Sequence, residues 1–209
     1  MENIFDEVIT TRAQLREIYD EPSDVVINKE IDYIDDICAR FIAASSFIVV
    51  GTRGADDRLD LSPKGDPAGF VHIIDKKTLI IPDRPGNHRL DTFENVLVNN
   101  QVALFFVIAG NKDTLRVTGT AQIVRDKTLQ DKLAINGRPP ALLLAVTVEN
   151  AFMHCSKCMV RSRLWQPDKW PDLTNVPSLA EGMVAHGALS LTRTEMQGLI
   201  DDDSEARLY

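Results

Sequence analysis

The sequence predicts an α+β protein whose centre is an antiparallel β-barrel with helices at its ends. At least six apolar, strand-like segments lie between about residues 45 and 150, with only short helices between them. Several neighbouring segments are joined by turns too short for a parallel crossover, so they must pair antiparallel. A sheet with this many antiparallel strands tends to close into a barrel, which removes its exposed edges. The GxGxxG motif of a doubly wound dinucleotide-binding sheet is missing.

A helical extension over residues 1–44 is expected to precede the barrel. Thr11 and Gln14 have the spacing of a capping box, which predicts a short helix over 11–19. Asn28 is the candidate cap of a second helix that leads to the first strand. The apolar face of this second helix is predicted to consist of Ile31, Ile34, Cys38, Phe41 and Ile42.

Strands and turns alternate through the barrel itself. Turn signals follow the second strand, at Pro63-Lys64-Gly65, and join the fifth and sixth strands, at residues 110–113. These signals separate apolar segments that are long enough for strands but too short for most helices. The predicted strands cover residues 46–51, 59–62, 69–75, 78–81, 101–109, 114–124 and 141–149.

Three further helices are predicted around these strands. One covers residues 89–98, with Leu90, Phe93 and Leu97 on one side. Another starts after its cap Asp126 and runs to about residue 136, where Gly137 and two prolines stop it. The third is predicted over residues 153–165.

Composition and charge exclude several classes of function. The hydrophobic content of 44% and charged content of 26% are ordinary for a globular protein. Lys and Arg number 23 against 31 Asp and Glu, so the net charge is −8. This acidity argues against nucleic-acid binding, which needs a basic surface. The chain also lacks the polybasic stretch that would hold it on an anionic membrane.

The sequence predicts a cytoplasmic protein. Its acidic start, MENIFDEVITT, does not have the basic and then apolar pattern of a signal peptide. No apolar run approaches the roughly 20 residues that a membrane-spanning helix needs. The three cysteines are an odd number, which does not suit a disulfide framework and fits a reducing compartment.

The segment IIPDRPGNHRLD, residues 80–91, carries the clearest functional signal. A strand ends there, a loop rich in Pro and Gly follows, and a helix begins. The first turn of a helix offers free N–H groups and a partial positive charge. Together with Arg84 and Arg89, this turn would suit a phosphate monoester. The alternative interpretation is a capped loop with solvated arginines.

Two other segments are candidates for binding. Ser62, Pro63 and Lys64 lie at a strand end whose backbone could face the edge of a planar ligand, although a plain turn explains them equally simply. The segment HCSKC, residues 154–158, contains a Cys-x-x-Cys pair. Zinc normally takes four ligands. Only His154, Cys155 and Cys158 are offered here, which favours two half-buried thiols; a zinc or thiol-redox module stays an alternative.

The stretch from Asp60 to Arg125 resembles the FMN-binding split-barrel proteins of the pyridoxamine 5′-phosphate oxidase-like family. The resemblance rests on DLSPKGDPAGFVHI, TLIIPDRPGNHRLDTFENVLVNNQVALFFVI and DTLRVTGTAQIV, in this order. HCSKCMVRSRLW resembles the C-terminal signature of an uncharacterised bacterial subgroup. The family match implies a split-barrel domain over residues 45–165. Residues 166–209 would then form a C-terminal extension packed on the barrel or on a dimer partner.

The resemblance also implies a homodimer with two FMN sites at its interface. Ser62–Lys64 would face the isoalloxazine, residues 87–89 would hold the phosphate, and Arg116 would reach the flavin. Lys157 and neighbouring residues would come from the C-terminal segment. The implied cofactor-binding residues are Ser62, Pro63, Lys64, Pro82, Asp83, Arg84, Asn87, His88, Arg89, Arg116, Lys157, Arg161, Ser162 and Trp165.

The function that this resemblance implies is an FMN-dependent oxidoreductase acting on a small molecule, with NADH or NADPH as candidate electron donor. A cation near flavin N1, Lys157 or Arg116, would stabilise the anionic reduced flavin, and hydride would pass through N5. The Arg-x-Val-Leu-Leu-Lys-like run and the Arg-x-His element of the true oxidases are missing, which disfavours a pyridoxal-type substrate. A non-enzymatic flavin-binding or redox-responsive module and a deazaflavin-binding relative are the alternatives.

Overall fold

A computed structural model describes residues 4–209 and places seven strands in one antiparallel sheet. Their order is β2-β1-β5-β6-β7-β4-β3, so β2 and β3 are the two edges, and the α+β split-barrel prediction is confirmed. The strands are β1 (Phe47–Arg53), β2 (Leu59–Gly65), β3 (His72–Asp75), β4 (Thr78–Pro82), β5 (Gln101–Val107), β6 (Thr114–Val124) and β7 (Leu143–His154).

Short helices surround the sheet. The predicted capping box between Thr11 and Gln14 is present at the start of the first helix. None of the helices in residues 4–209 is long and apolar enough to cross a membrane. The helices are α1 (Arg12–Ile18), α2 (Asp24–Ile27), α3 (Asp36–Ala44), α4 (Asp91–Val98), α5 (Lys127–Lys132), α6 (Lys157–Ser162), α7 (Leu179–His186) and α8 (Arg193–Ala206), with a 3₁₀ turn at Pro167–Lys169.

The hydrophobic core lies on the inner face of the sheet. Every second residue of β1 and β5 is buried, as the two-residue period of a strand requires. Helix α3 covers this face with Phe41 and Ile42, and α4 adds Phe93 and Val96. The largest fully buried side chains of the sheet are Ile48, Leu79, Ile81, Leu104, Phe106, Leu115, Leu143 and Leu144.

The prediction that Asn28 caps the helix before β1 is wrong. Helix α3 begins at Asp36, because the Asp35 side chain accepts a hydrogen bond from the Cys38 N–H at 2.8 Å. Residue Ile31 instead forms an antiparallel bridge with Ala151 through two backbone hydrogen bonds. The chain before α3 therefore pairs with β7 rather than continuing a helix.

The turn predicted at Pro63-Lys64-Gly65 is also wrong, because β2 continues through Gly65. Its last residues pair with β1, with Pro63 opposite Val49 and Gly65 opposite Phe47. Proline donates no backbone hydrogen bond, but an edge strand has one side that needs no partner. This places the two polar residues Ser62 and Lys64 inside a strand with a fixed direction.

Three predicted helices are shorter or oriented differently. Helix α4 buries Thr92, Phe93 and Val96, whereas Leu90 and Leu97 are exposed. Helix α5 ends at Lys132, shortly before a backbone bridge that joins Ile135 and Arg138. Strand β7 runs to His154, so residues 153 and 154 belong to the sheet and α6 starts only at Lys157.

Candidate active site

A cavity of about 770 Å³ lies between the edge strand β2 and the loop that joins β4 to α4. Residues from two segments that are separated in sequence meet in it. Eight of the residues that the sequence singled out line this cavity: Ser62, Pro63, Lys64, Asp83, Arg84, Asn87, His88 and Arg89. The buried Pro82 closes β4 immediately before the loop.

The direction of the β2 side chains follows from the register of the sheet. Ser62 pairs with Val50, and Lys64 pairs with Ile48. Cross-strand partners point to the same side of a sheet, and both partners are fully buried. Ser62 and Lys64 therefore face the inner side, where the Lys64 Nζ donates a hydrogen bond to Ser62 Oγ at 3.3 Å.

The loop between β4 and α4 has an unusual backbone. His88 and Leu90 both have positive φ angles, of 60° and 59°. Residues other than glycine rarely adopt this left-handed conformation, and strain of this kind is concentrated at functional sites. The Asn87 Oδ1 accepts a hydrogen bond from the Arg89 N–H at 3.1 Å, which fixes the turn. No side chain caps the first turn of α4, in which the Phe93 N–H donates to the Leu90 carbonyl at 2.8 Å. The two preceding N–H groups, of Asp91 and Thr92, have no partner within an α-helix.

The Arg89 side chain is exposed and forms an ion pair with Asp91. Its Nε lies 2.7 Å from Asp91 Oδ2, and 71% of its side chain is exposed. The hydrogen bond and charge of Asp91 raise the pKa of Arg89. A guanidinium with a single exposed partner can turn toward an anion in the cavity at little cost, because exposed ion pairs are weak.

Arg84 is held differently, although it lies in the same loop. Its Nε lies 2.6 Å from Asp66 Oδ2, and its Nη2 donates to the Leu133 carbonyl at 3.0 Å. The Asp66 side chain is completely buried, and that of Arg84 is 16% exposed. Arg84 therefore joins the loop to the segment after β2 and to the end of α5. Its guanidinium is already bound to Asp66 and to the Leu133 carbonyl.

Asp83 brings a carboxyl group into the cavity. It is half-buried, and burial raises its pKa. The charges of Lys64, Arg84 and His88 oppose that rise. A carboxyl group in such a setting can hold a proton closer to neutral pH than an exposed one.

Among the cavity residues that sequence reasoning did not single out are Arg138, which precedes β7, and Tyr209, which follows α8. The Tyr209 hydroxyl donates to Asp66 Oδ1 at 2.9 Å, and Arg138 Nη1 donates to the Tyr209 carbonyl oxygen. Asp66 and Tyr209 are 143 positions apart. No local motif predicts a contact of this range.

Arg116 lies outside the cavity, on the outer face of the sheet. It pairs with Phe105 on one side and Phe152 on the other. Strands β2 and β6 are separated by three strand spacings, roughly 14 Å at about 4.8 Å each. The Arg116 guanidinium lies 4.2 Å from the centre of the Phe152 ring. Its Nε is buried and makes no hydrogen bond to any described residue.

Other basic groups surround the same aromatic ring. The His154 ring lies 4.8 Å from the Phe152 ring, and Lys29 Nζ lies 5.3 Å from its centre. Burial, followed by the charges of Arg116 and Lys29, lowers the pKa of His154. We call Lys29, Arg116, Phe152 and His154 the outer basic cluster. It carries cationic groups in a chain whose net charge is negative.

The remaining predicted residues lie on or just after α6, away from the cavity. Lys157 and Arg161 are exposed, and Ser162 Oγ bonds to the Met159 carbonyl at 3.2 Å. Trp165 Nε1 donates to the Asn111 carbonyl at 2.6 Å, which fastens this segment to the β5–β6 turn. Cys155 and Cys158 are exposed free thiols. Within residues 4–209, no group of three or more His, Cys, Asp or Glu side chains is arranged to hold a metal ion.

Comparisons with known proteins found several solved structures that are similar to this chain. Solved structures with a similar fold include HupZ from Group A Streptococcus (20% identity; 57% of this chain and 93% of that one; TM-score 0.49). A putative pyridoxamine 5′-phosphate oxidase from Lactobacillus delbrueckii is also similar (20%; 58% and 95%; 0.47), as is General Stress Protein 26 from Bacillus anthracis (17%; 55% and 88%; 0.44).

No curated protein matches the chain in sequence. A family model does match: the one described as pyridoxamine 5′-phosphate oxidase covers residues 34–155, more than half of the chain. The matched region contains the whole sheet and every part of the cavity except Tyr209. The chain therefore belongs to the pyridoxamine 5′-phosphate oxidase-like family, as its sequence motifs predicted.

Proposed function

We propose that the chain is an FMN-binding oxidoreductase that acts on a small molecule. One observation carries the proposal: strand β2 and the loop over residues 83–90, each predicted to touch the cofactor, line the same cavity. Its volume of about 770 Å³ is within the range of small-molecule and cofactor pockets, roughly 300–1,000 Å³. Members of this family commonly bind a flavin, which supports the choice of ligand.

The residues of the cavity fit FMN at both ends of the molecule. For a phosphate, Arg89 would provide a cationic group, His88 an imidazole, and the uncapped start of α4 the N–H groups of Asp91 and Thr92. Ser62 and Lys64 provide polar groups on the inner side of an edge strand for a planar ring. The chemistry that FMN supplies when bound is hydride and electron transfer.

The protein residues then bind and orient this group. Arg89 would leave Asp91 and pair with the phosphate. Asp83, half-buried and with a raised pKa, would hold or accept a proton beside the cavity. Arg84 would keep the loop in its left-handed turns through its ion pair with Asp66. These roles agree with a site in which the cofactor performs the redox step itself.

A homodimer is part of the proposal, and the outer face of the sheet supports it. One row of neighbours crosses five strands: Pro63, Val49, Phe105, Arg116 and Phe152. Four of these five side chains are apolar, whereas an antiparallel sheet that faces water usually carries polar residues.

Two residues before Pro63 in β2, Leu61 lies on the same outer face of the sheet. Its side chain is 71% exposed. A second copy would cover these residues through a self-complementary contact. The outer basic cluster, too far from its own cavity, would then contribute Arg116 to the partner's flavin.

Replacing Arg89 tests the phosphate site directly. Arg89→Ala should weaken FMN binding about ten- to a hundredfold, since a hydrogen bond to a charged group is lost. Riboflavin, which has no phosphate, should bind almost unchanged. Arg58→Ala is the matched control, because Arg58 is an exposed arginine whose carboxylate partner, Asp56, is also close in sequence. Equal losses for both ligands, or no flavin binding by the wild-type chain, would contradict the proposal.

Turnover distinguishes an enzyme from a flavin-binding module. The flavin-loaded protein would be mixed anaerobically with NADH or NADPH, and bleaching of the flavin spectrum would be followed. Reduction by one of these donors, with repeated cycles when an acceptor is added, is expected for an oxidoreductase. Bound flavin that neither donor reduces, and that gives no turnover, would favour the non-enzymatic module.

A further inference from the structure

Tyr209 lies in an unexpected place for a residue that follows the last helix. It stands three positions beyond α8, outside the region that the family model matches, yet it lines the cavity beside Asp66, the residue that follows β2. The other aromatic side chains along the cavity wall, within residues 4–209, are His88 and Phe93, and Phe93 is buried in the core. Tyr209 is therefore the phenol ring that the cavity offers to a ligand.

Two separate contacts hold Tyr209 in this position. Its hydroxyl donates to Asp66 Oδ1 at 2.9 Å, and Arg138 donates to its carbonyl oxygen. The other Asp66 oxygen accepts from Arg84. The hydrogen bond to Asp66 raises the pKa of Tyr209, which agrees with a phenol that acts as the donor.

Asp66 explains why this contact is specific. Its side chain is fully buried, and a buried carboxylate needs a donor for each oxygen. Arg84 satisfies one oxygen and the Tyr209 hydroxyl satisfies the other. The same carboxylate therefore joins the loop that lines one wall of the cavity to the ring that lines another.

The rest of the C-terminal segment is weakly attached to the barrel. In α8 only Met196 is buried, and in α7 only Ala180. These two helices pack mainly on each other. The contacts of Tyr209 with Asp66 and Arg138 therefore fasten the end of the segment at the cavity.

We propose that the Tyr209 ring is a ligand-contacting wall of the flavin site, held there by Asp66 and Arg138. The inference rests on the proposed function, since the ligand it contacts is the flavin of that site. An aromatic side chain against a planar ring system contributes through stacking, which is worth about a factor of ten in affinity. Tyr209 thereby slows escape of the ligand and shields it from solvent.

The test compares Tyr209→Ala and Tyr209→Phe with the wild-type chain, all loaded with FMN. Tyr19→Ala is the matched control, because Tyr19 is an exposed tyrosine that follows α1. The FMN dissociation rate is measured after dilution, and access to the bound flavin is measured by iodide quenching. Circular dichroism confirms that each variant is folded.

Tyr209→Ala should release FMN about ten times faster than wild type and should increase iodide quenching. Tyr209→Phe keeps the ring and should stay closer to wild type in both readouts, and Tyr19→Ala should match wild type. Wild-type rates and quenching in Tyr209→Ala would overturn the inference alone. So would a Tyr209→Phe variant as impaired as Tyr209→Ala, because the hydroxyl tether would then explain the whole effect. A wild-type chain that binds no FMN would refute the proposed function and this inference with it.

Discussion

The ion pair between Arg84 and Asp66 gives a sharp test of how the cavity loop is held. The Asp66 side chain is completely buried, and its two oxygens accept from Arg84 and from the Tyr209 hydroxyl. Asp66→Ala removes the acceptor from both donors. The Arg84 side chain, which is only 16% exposed, then has no counter-charge. An uncompensated buried charge is strongly destabilising.

The expected loss follows from these contacts. Removing one partner of a buried pair costs about 3–5 kcal/mol. Arg84 keeps its hydrogen bond to the Leu133 carbonyl and some contact with water. We therefore expect the lower end, about 3 kcal/mol, for the free energy of unfolding of Asp66→Ala. The double variant Asp66→Leu with Arg84→Leu should recover most of this loss, because no uncompensated charge stays buried.

Urea denaturation followed by circular dichroism measures the difference. Asp131→Ala is the control: the Asp131 pair with Lys127 is exposed, at 54% and 85%, and such pairs contribute about 0.5 kcal/mol. If Asp66→Ala loses no more stability than Asp131→Ala, the reasoning is refuted. Arg84 would then be free to bind a phosphate, as the sequence alone suggested.

Three further predictions concern other parts of the molecule. Gly119→Ala should lower the melting temperature strongly, because a Cβ would lie 1.9 Å from the Thr147 carbonyl, whereas Gly182→Ala, in open space within α7, should not. Stability should fall as the pH drops below about 6.5, because burial lowers the pKa of both His154 and His72, and the unfolded chain then binds protons that the folded chain does not. The variant His154→Gln should reduce this pH dependence, which denaturation at several pH values measures. Leu61→Asp, on the exposed outer face, should convert a sedimenting dimer to monomer and weaken FMN binding, and an unchanged dimer would contradict the proposed interface.

Local patterns predicted the sheet well. The limits of β6, Thr114–Val124, agree with the sequence prediction to the residue, because the turn before it and the alternation within it are both clear. The start of β2 at Leu59 was also predicted correctly, but its end at Gly65 was missed for a physical reason. Pro63 is a turn signal in isolation, and only the edge position of β2 allows it inside a strand.

Only those residues of the candidate site that lie in local sequence motifs could be predicted. The segments around Ser62 and Arg89 were identified separately, and the structure brings them to one cavity. The partner of Arg84 could not be predicted, because Asp66 lies 18 positions away in a segment with no motif. The role of Tyr209 could not be predicted for the same reason, because Tyr209 and its partner Asp66 are 143 positions apart in the sequence.

The absorbance spectrum of the protein, recorded as purified and again after FMN titration and removal of free ligand, tests the central claim most directly. The account predicts the visible bands of a bound flavin and a stoichiometry of about one FMN per protomer, because each protomer supplies one cavity of about 770 Å³ between β2 and the β4–α4 loop. A deazaflavin spectrum would change the cofactor but keep the site. A colourless protein that retains no added FMN would contradict the account.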